Sequence, residues 1–190
     1  MKRDRMQEYE KAIRERLSKD RMEHVLAVRD CAAELAAIHG LEQRDAELAG
    51  LLHDYARDIS ADQLLSMARA RGLVTCSVEE KVPLLLHGPL GAQLIKEELG
   101  IDNPHLLEAV ALHTLGSPAM GRLAQVIYIA DLIAPGRDFP SVERLREIAR
   151  NDLDRALLEC FASTIGYCLQ RYKLIHPRTI DAWNYYVVSK

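Results

Sequence analysis

Apolar residues recur at helical spacing along almost the whole chain, and most of these runs end at a helix-stopping residue. In the run 20–39, apolar side chains follow one another at intervals of three or four residues until Gly40. Later runs stop before Gly72, Gly100 and Gly116, because glycine readily adopts the left-handed backbone that ends a helix. We therefore expect an all-α fold, a helical bundle of about eight to ten helices.

The helices are predicted to form a single domain over residues 1–190, since the sequence contains no internal repeat and no linker long enough to divide it. Residues 1–19 are expected to form a charged N-terminal helix, which could pack on a second copy and so form a homodimer. Residues 152–190 should form C-terminal helices packed on the core, and 44–57 a continuous helix. The run Val126–Ile133 is strand-like, but it has no second run to pair with.

Composition and charge exclude several classes of protein. Apolar residues make up 48% of the chain and charged residues 28%, which is ordinary for a globular domain. The net charge of −3 lacks a basic excess, so no nucleic-acid partner is expected. No apolar run approaches the ~18 residues of a membrane span, and the N-terminus has no apolar signal segment. Four cysteines without paired spacing predict free thiols, and a cytoplasmic location is the expectation.

Polar side chains in apolar helical surroundings need a partner, because burying an unpaired charge costs several kcal/mol. Six residues meet this description, namely His24, His53, Asp54, His87, His113 and Asp131. Asp131, for example, has no cation three or four residues away with which to pair. Imidazole nitrogens and carboxylate oxygens are good ligands for divalent metals, so these six donors could hold two metal ions. Asp54 could bridge the two ions, because its carboxylate has two oxygens.

Two readings without catalysis remain open at this point. A single buried histidine is more often a hydrogen-bonded core residue than a ligand, so the chain could be an all-α interaction scaffold. It could also be a module that binds a ligand without catalysis, although such a module would not need a bridging carboxylate. His176 precedes Pro177, which favours an extended backbone, and its side chain could line a pocket.

Longer stretches around these residues resemble a known family. They are HDYARD at 53–58, LLHGP at 85–89, HT at 113–114, ADLIAPGRDFP at 130–140 and LIHPRT at 174–179. The ordered histidine and aspartate residues resemble the HD-domain metal-dependent phosphohydrolases, and the longer stretches resemble their YqeK family. The similarity extends from about Arg21 to Tyr185. Small departures occur at Val82, Leu115 and Ala134, and none removes a predicted metal donor.

The resemblance implies an all-α HD domain that hydrolyses diadenosine tetraphosphate symmetrically to two ADP at a two-iron site. Carried over to this sequence, it implies that one metal has His24, His53, Asp54 and Asp131 as ligands. The second metal would have His87 and His113, with Asp54 as the bridge and the key catalytic residue. Two close metals would lower the pKa of a bridging water and position the phosphoryl group for in-line attack. Manganese, cobalt or zinc would suit the same donors.

The predicted substrate is a small nucleotide, and four cations near the donors are candidates to bind its phosphates. They are Arg21, Arg57, Lys81 and Arg137. For each of them the alternative is an ordinary solvated charge. Tyr55, Tyr128 and Trp183 could stack on a base or could serve the core. An HD-type phosphohydrolase acting on a mononucleotide is the alternative activity, because the same metal site would serve it. A nucleotide-sensing HD module is the other alternative that the resemblance leaves open.

Overall fold

A computed structural model describes residues 2–189 of the chain, with side chains described from Arg5 to Ser189. Over this range it contains eleven α-helices, one 3-10 turn and no strand, so the all-α prediction is confirmed with slightly more helices than expected. The helices are α1 (Lys2–Arg14), α2 (Lys19–Ile38), α3 (Gln43–Leu52), α4 (Ala61–Ala70), α5 (Ser77–Lys81), α6 (His87–Leu99), α7 (Pro104–Leu112), α8 (Arg122–Ile133), α9 (Val142–Asn151), α10 (Leu153–Gln170) and α11 (Pro177–Val188). The 3-10 turn, Pro83–Leu86, precedes α6.

Side-chain caps begin several helices where the sequence places a short polar residue. The Asn103 side chain accepts hydrogen bonds from the backbone N–H groups of His105 and Leu106, and Pro104 occupies the first helical position of α7. The Asp152 carboxylate caps α10 in the same way. Gly100 ends α6 with φ of 64°, a left-handed conformation that other residues rarely adopt.

The helix predicted over 44–57 is shorter in the structure, because α3 ends at Leu52. The following segment, His53–Ile59, forms successive turns instead of a helix. Its backbone N–H groups bond to carbonyls three residues earlier, as Arg57 does to Asp54 at 2.8 Å. The periodicity of apolar residues misses this change, because Tyr55 is buried in the turns, as the pattern of a continuing helix would also predict.

The core lies around α8, most of whose side chains are buried. This burial explains why the run Val126–Ile133 is apolar on almost every side and resembles a strand in sequence. Helices α2, α3, α7 and α10 pack against α8, and α11 packs against α10. Gly50 allows α2 and α3 to approach closely, because a Cβ there would lie 2.8 Å from the Arg29 Cα. Among the described residues, no helix is long and apolar enough to cross a membrane.

Candidate metal centre

The structure brings the six predicted donors into one cluster, here called the His/Asp centre. They occupy α2 (His24), the turn after α3 (His53 and Asp54), the start of α6 (His87), the C-terminal cap of α7 (His113) and the last turn of α8 (Asp131). Each of the six has a side-chain nitrogen or oxygen no more than 3.8 Å from one on another member. Residues more than a hundred positions apart in sequence therefore contact one another directly.

Two overlapping groups of ligand atoms lie inside the His/Asp centre. His24, His53 and Asp131 offer atoms within 4.8 Å of one another, and so do His53, Asp54 and His113. In the first group, His24 Nε2 lies 2.9 Å from Asp131 Oδ1. Because His53 belongs to both groups, the two groups are adjacent rather than separate.

Asp54 is buried and turns its two oxygens towards different neighbours. Oδ2 lies 3.2 Å from Arg21 Nη1 and 3.5 Å from His53 Nε2. Oδ1 lies 3.1 Å from His87 Nε2 and 3.8 Å from His113 Nε2. The carboxylate thus has His53 on one side and His87 with His113 on the other, and the bridging role itself stays a prediction.

Three histidines of the centre are fixed by the same backbone contact. Nδ1 of His53, His87 and His113 lies 2.7, 2.5 and 2.8 Å, respectively, from the carbonyl oxygen three residues earlier. A carbonyl oxygen can only accept, so each neutral ring carries its proton on Nδ1 and a lone pair on Nε2. This is the tautomer that a metal-binding histidine adopts when its other nitrogen is held by the protein.

The lone pairs of the centre face one another without enough protons to separate them. His87 Nε2 lies 2.9 Å from His113 Nε2, and the Thr114 hydroxyl beside them can donate to only one nitrogen at a time. His53 Nε2 is buried and has no hydrogen-bond partner. Such acceptors are costly to bury together unless a cation lies among them. The donor set therefore fits a divalent metal ion.

A glycine allows the two facing histidines to meet. Gly88 follows His87 at the start of α6, and a Cβ there would lie 3.0 Å from the Ala111 carbonyl oxygen and 3.1 Å from that of Val110. Any larger residue would push α6 away from the end of α7, which carries His113. The close contact between α6 and the end of α7 thus explains why a glycine follows His87 in the sequence.

Burial and neighbouring charges set the protonation of the centre. Burial, assisted by His87 and His53, lowers the pKa of His113 to about 3, so its ring is neutral at pH 7. Burial opposes the ionisation of Asp54, but His53 and His87 hold its pKa well below the usual value. Burial likewise opposes ionisation of Asp131, whose pKa is lowered by its hydrogen bond to His24. A neutral imidazole at His113 beside ionised Asp54 and Asp131 matches the protonation that metal binding requires.

A cavity of about 290 Å³ opens onto the His/Asp centre. Three of the four predicted phosphate-binding cations line it, namely Arg21, Arg57 and Arg137. Lys81 is exposed at the end of α5 and does not line the cavity. The 3-10 turn lies between Lys81 and His87, so a short separation in sequence does not bring the ammonium group to the metal donors.

Arg137 gives Asp131 a cationic partner at a separation of six residues, outside the helical spacings considered in the sequence. Its Nη2 lies 2.5 Å from Asp131 Oδ1 and 3.4 Å from His24 Nε2, and its Nε donates to the Asp131 carbonyl. The expectation considered only the spacings of a continuous helix. The Pro135-Gly136 turn ends α8 and brings a residue six positions later back beside the carboxylate.

Arg146, on α9, supports this turn and was not singled out from the sequence. Its guanidinium donates to the backbone carbonyls of Ile133 at 2.8 Å, Ala134 at 3.0 Å and Arg137 at 3.2 Å. These contacts fix the loop that holds Arg137 against the centre. The sequence offers no signal for this role, because Arg146 is one of several arginines on an amphipathic helix.

The aromatic candidates for base stacking serve mainly the core. Tyr55 is buried, and its hydroxyl donates to Glu98 at 2.8 Å. Tyr128 is buried too, although it lines part of the cavity. Trp183 is partly buried against the core. Two of the three therefore lie away from the lining of the cavity.

A second buried group, the His176 cluster, consists of Cys76, Glu79 and His176. His176 caps α11, and its Nδ1 accepts a hydrogen bond from the Arg178 N–H at 3.1 Å. Its Nε2 lies 3.1 Å from Glu79 Oε1 and 3.4 Å from Cys76 Sγ. The side chain is buried and lines none of the described cavities.

Comparison with known proteins places this site in a family. The model of the HD domain matches residues 21–136, the range that contains all six donors. A symmetrical bis(5'-nucleosyl)-tetraphosphatase of Halalkalibacterium halodurans is 34% identical, over 90% of this chain and 91% of the relative. The protein of the same name from Bacillus subtilis is 33% identical, over 92% of this chain and 94% of the relative.

A solved structure agrees with these relatives. It is the crystal structure of a "predicted HD superfamily hydrolase involved in NAD metabolism" from Clostridium acetobutylicum. It superposes with a TM-score of 0.93 at 35% identity, covering 97% of this chain and 98% of that one. With the domain model and the relatives in agreement, the chain belongs to the HD-domain family.

Proposed function

We propose that this chain hydrolyses diadenosine tetraphosphate symmetrically and releases two molecules of ADP. The observation that carries the proposal is the cavity in which the His/Asp centre and three arginines meet. A chain of four phosphates needs concentrated positive charge at the bond that breaks, and this cavity can supply it. The relatives named symmetrical bis(5'-nucleosyl)-tetraphosphatase, which match over more than nine-tenths of their length, support the same activity.

The proposal includes two divalent metal ions, with iron as the expected element. His24, His53 and Asp131 would hold one ion, His87 and His113 the other, and Asp54 would be shared. The mixed imidazole and carboxylate donors also suit manganese, cobalt or zinc. When bound, such ions neutralise phosphate charge and activate water for attack on phosphorus.

The arginines of the chain would bind and orient the tetraphosphate. Arg21 and Arg137 reach the cavity edge, where Asp54 and Asp131 hold their guanidinium groups in place. Burial, together with the charge of Arg21, lowers the pKa of Arg57, so an anion entering the cavity would relieve a crowded positive charge. Each planar guanidinium can bind two phosphate oxygens at once, which favours one orientation of the substrate.

A product assay tests the proposed activity directly. Purified protein is incubated with diadenosine tetraphosphate and added iron, manganese or cobalt, and the products are separated by ion-exchange chromatography. We expect ADP as the sole product and no product in the presence of a chelator. Formation of AMP with ATP would contradict symmetrical cleavage.

The same assay separates the alternative activity. Deoxynucleoside monophosphates and nucleoside diphosphates are supplied under identical conditions, and inorganic phosphate or pyrophosphate is measured. Turnover of these mononucleotides without turnover of the dinucleotide would overturn the proposal and favour an HD phosphohydrolase of another specificity. No turnover of any substrate would favour a sensing module.

A further inference from the structure

A second cavity adjoins the one at the His/Asp centre and has a different character. This cavity, here called the α10 cleft, has a volume of about 620 Å³ and lies between the loop after α8 and the middle of α10. The two cavities share Leu132, Arg137 and Thr164 in their walls. A ligand of sufficient length could therefore occupy both at once.

The lining of the α10 cleft suits a flat, weakly polar group. Phe139 and Tyr167 supply aromatic rings, and Ser163 and Gln170 supply polar groups that can form hydrogen bonds. Among the described residues that line the cleft, Arg137 alone carries a charge. An apolar and aromatic wall with a few polar groups is typical of a site for a small organic ring.

The α10 helix leaves room for such a ring. Its lining face includes Ala162 and Gly166, which have small or absent side chains. A Cβ built at Gly166 would meet no other atom within 4 Å, so the space beside it is open. Protein interiors are close-packed, so a helix face that packed against protein would normally have this space filled by a side chain.

Tyr167 remains half-exposed but is held in place. Its hydroxyl accepts a hydrogen bond from Lys173 Nζ at 2.8 Å, and the same ammonium lies 4.6 Å from the centre of its ring. An exposed aromatic ring that is already fixed loses little entropy when a second ring stacks on it. The contacts with Lys173 thus favour one orientation of the Tyr167 ring, with part of its surface left exposed to the cleft.

We propose that the α10 cleft binds the purine nucleoside at one end of the substrate, with the base against Tyr167 and Phe139. This inference rests on the proposed function, because it takes the phosphate chain to lie at the His/Asp centre. Arg137 lines both cavities and would contact the phosphates that connect the nucleoside in the cleft to the His/Asp centre. Contacts with the base would then determine the affinity for the substrate, and hydrolysis of the phosphate chain would take place at the His/Asp centre.

A third cavity shows why the α10 cleft is favoured for the base. It measures about 510 Å³ and also reaches Arg137, but its lining includes Asp20, Glu23 and Asp58. Apart from the metal donor His24, none of its described lining residues carries an aromatic ring. Acidic side chains repel phosphates and offer no stacking surface. We therefore expect a nucleoside to bind more tightly in the α10 cleft than in this third cavity.

Two substitutions test the cleft. Tyr167→Ala removes the stacking surface, and Gly166→Leu fills the open space on a helix that tolerates leucine. Tyr185→Ala is the matched control, because Tyr185 is 43% exposed on α11 and outside the cleft, against 50% for Tyr167. Binding of ADP and of inorganic pyrophosphate to manganese-loaded protein is measured by calorimetry, and KM for diadenosine tetraphosphate is measured in parallel.

We expect both cleft variants to weaken ADP binding and raise KM roughly 5- to 100-fold, the range for loss of one stacked base. Pyrophosphate binding should change less than about twofold, because it engages only the centre and its arginines. Tyr185→Ala should change neither. Unchanged ADP binding in Tyr167→Ala, or an equal loss of pyrophosphate binding, would overturn the proposal.

The result stays separate from the test of the proposed function. One outcome is that the wild-type protein fails to cleave diadenosine tetraphosphate while the Tyr167→Ala variant still binds ADP more weakly than the wild type does. In that case the cleft is a nucleoside site that serves another reaction. If the wild-type protein cleaves the dinucleotide and the two cleft variants match it in KM, the proposed activity stands and the cleft assignment is wrong.

Discussion

The His/Asp centre and the His176 cluster both bury histidine beside carboxylate, yet they differ in whether Nε2 of the histidine is a free acceptor. In the centre, Nδ1 of His53, His87 and His113 donates to a backbone carbonyl, which leaves Nε2 as a free lone pair. In the His176 cluster, Nδ1 of His176 accepts from a backbone N–H, so the ring proton of the neutral form lies on Nε2. The contact made by one nitrogen therefore decides what the other can bind.

The partners of Glu79 complete this contrast. One oxygen of Glu79 lies 3.1 Å from His176 Nε2, while the other accepts from the backbone N–H groups of Thr75 and Cys76. The imidazole and the carboxylate of this site therefore each have a partner of the opposite kind, which the facing lone pairs of the His/Asp centre lack. The His176 cluster instead ties the start of α11 to α5, close in sequence to the turn that precedes His87.

The largest difference between the two groups should appear in metal content and turnover. Asp54→Ala removes the shared carboxylate, so we expect turnover to fall by about 1,000-fold or more and bound metal to decrease. Glu79→Gln is the matched carboxylate substitution in the His176 cluster and should keep the metal content of the wild-type protein. Metal is measured by elemental mass spectrometry. Full activity with both metals in Asp54→Ala would show that the bridging assignment is wrong.

Chelation should destabilise the protein through the centre alone. Metal at about 100 times its dissociation constant stabilises a protein by about 2.7 kcal/mol, which corresponds to roughly 5–10 °C in Tm for a chain of this length. We expect a decrease of that size when a chelator removes the metal, measured by scanning calorimetry. A Tm that does not respond to the chelator would mean that the facing lone pairs of His87 and His113 need no metal.

Acid should affect the His176 cluster through Glu79. Burial opposes its ionisation, but the backbone N–H groups of Thr75 and Cys76 hold its pKa below the usual 4.5. A lowered folded pKa gives stability that is complete above about pH 4.5 and is lost as the pH falls through the folded value. We expect Glu79→Gln to cost about 1–3 kcal/mol at neutral pH, because the amide carries no charge and its NH2 group would face the Nε2–H of His176 in place of an acceptor oxygen.

The cost should shrink in acid, where the wild-type carboxylate also becomes protonated. Urea unfolding of metal-free wild-type and Glu79→Gln protein at about pH 7 and about pH 3.5 measures both differences. Equal differences at the two pH values would show that Glu79 does not contribute through its charge.

The smallest effect is expected from Cys76→Ser. The Cys76 thiol lies 3.4 Å from His176 Nε2 and is at most a weak partner there, so stability should change by less than about 1 kcal/mol. The chelator-dependent change in Tm should equal that of the wild-type protein. A smaller change in the Cys76→Ser variant would place a metal ion in the His176 cluster and remove the contrast between the two sites.

The sequence was sufficient to find the donors, because a polar residue inside an apolar helical run is visible without a structure. It was also sufficient for the all-α fold, whose helices end at glycine and proline. It was not sufficient for contacts across turns. The pairing of Arg137 with Asp131 depends on the geometry of Pro135-Gly136, and the exposure of Lys81 depends on the 3-10 turn after it.

Long-range partners were equally hidden. Glu79 and His176 are 97 positions apart, and neither residue has a local signal that points to the other. Arg146 shows the same limit, since its three carbonyl partners lie on a loop whose path the sequence pattern does not specify. The ring tautomers that separate the two histidine groups follow from backbone geometry, which only the folded structure supplies.

The spread of donors from α2 to α8 also has a consequence for the newly made chain. His24 precedes its neighbour Asp131 by more than a hundred residues, so the ribosome makes these two ligands well apart in time. While the ribosome is still translating α8, the nascent protein can offer only a partial ligand set. The full set of six donors therefore exists only after α8 has been translated and has packed against α2.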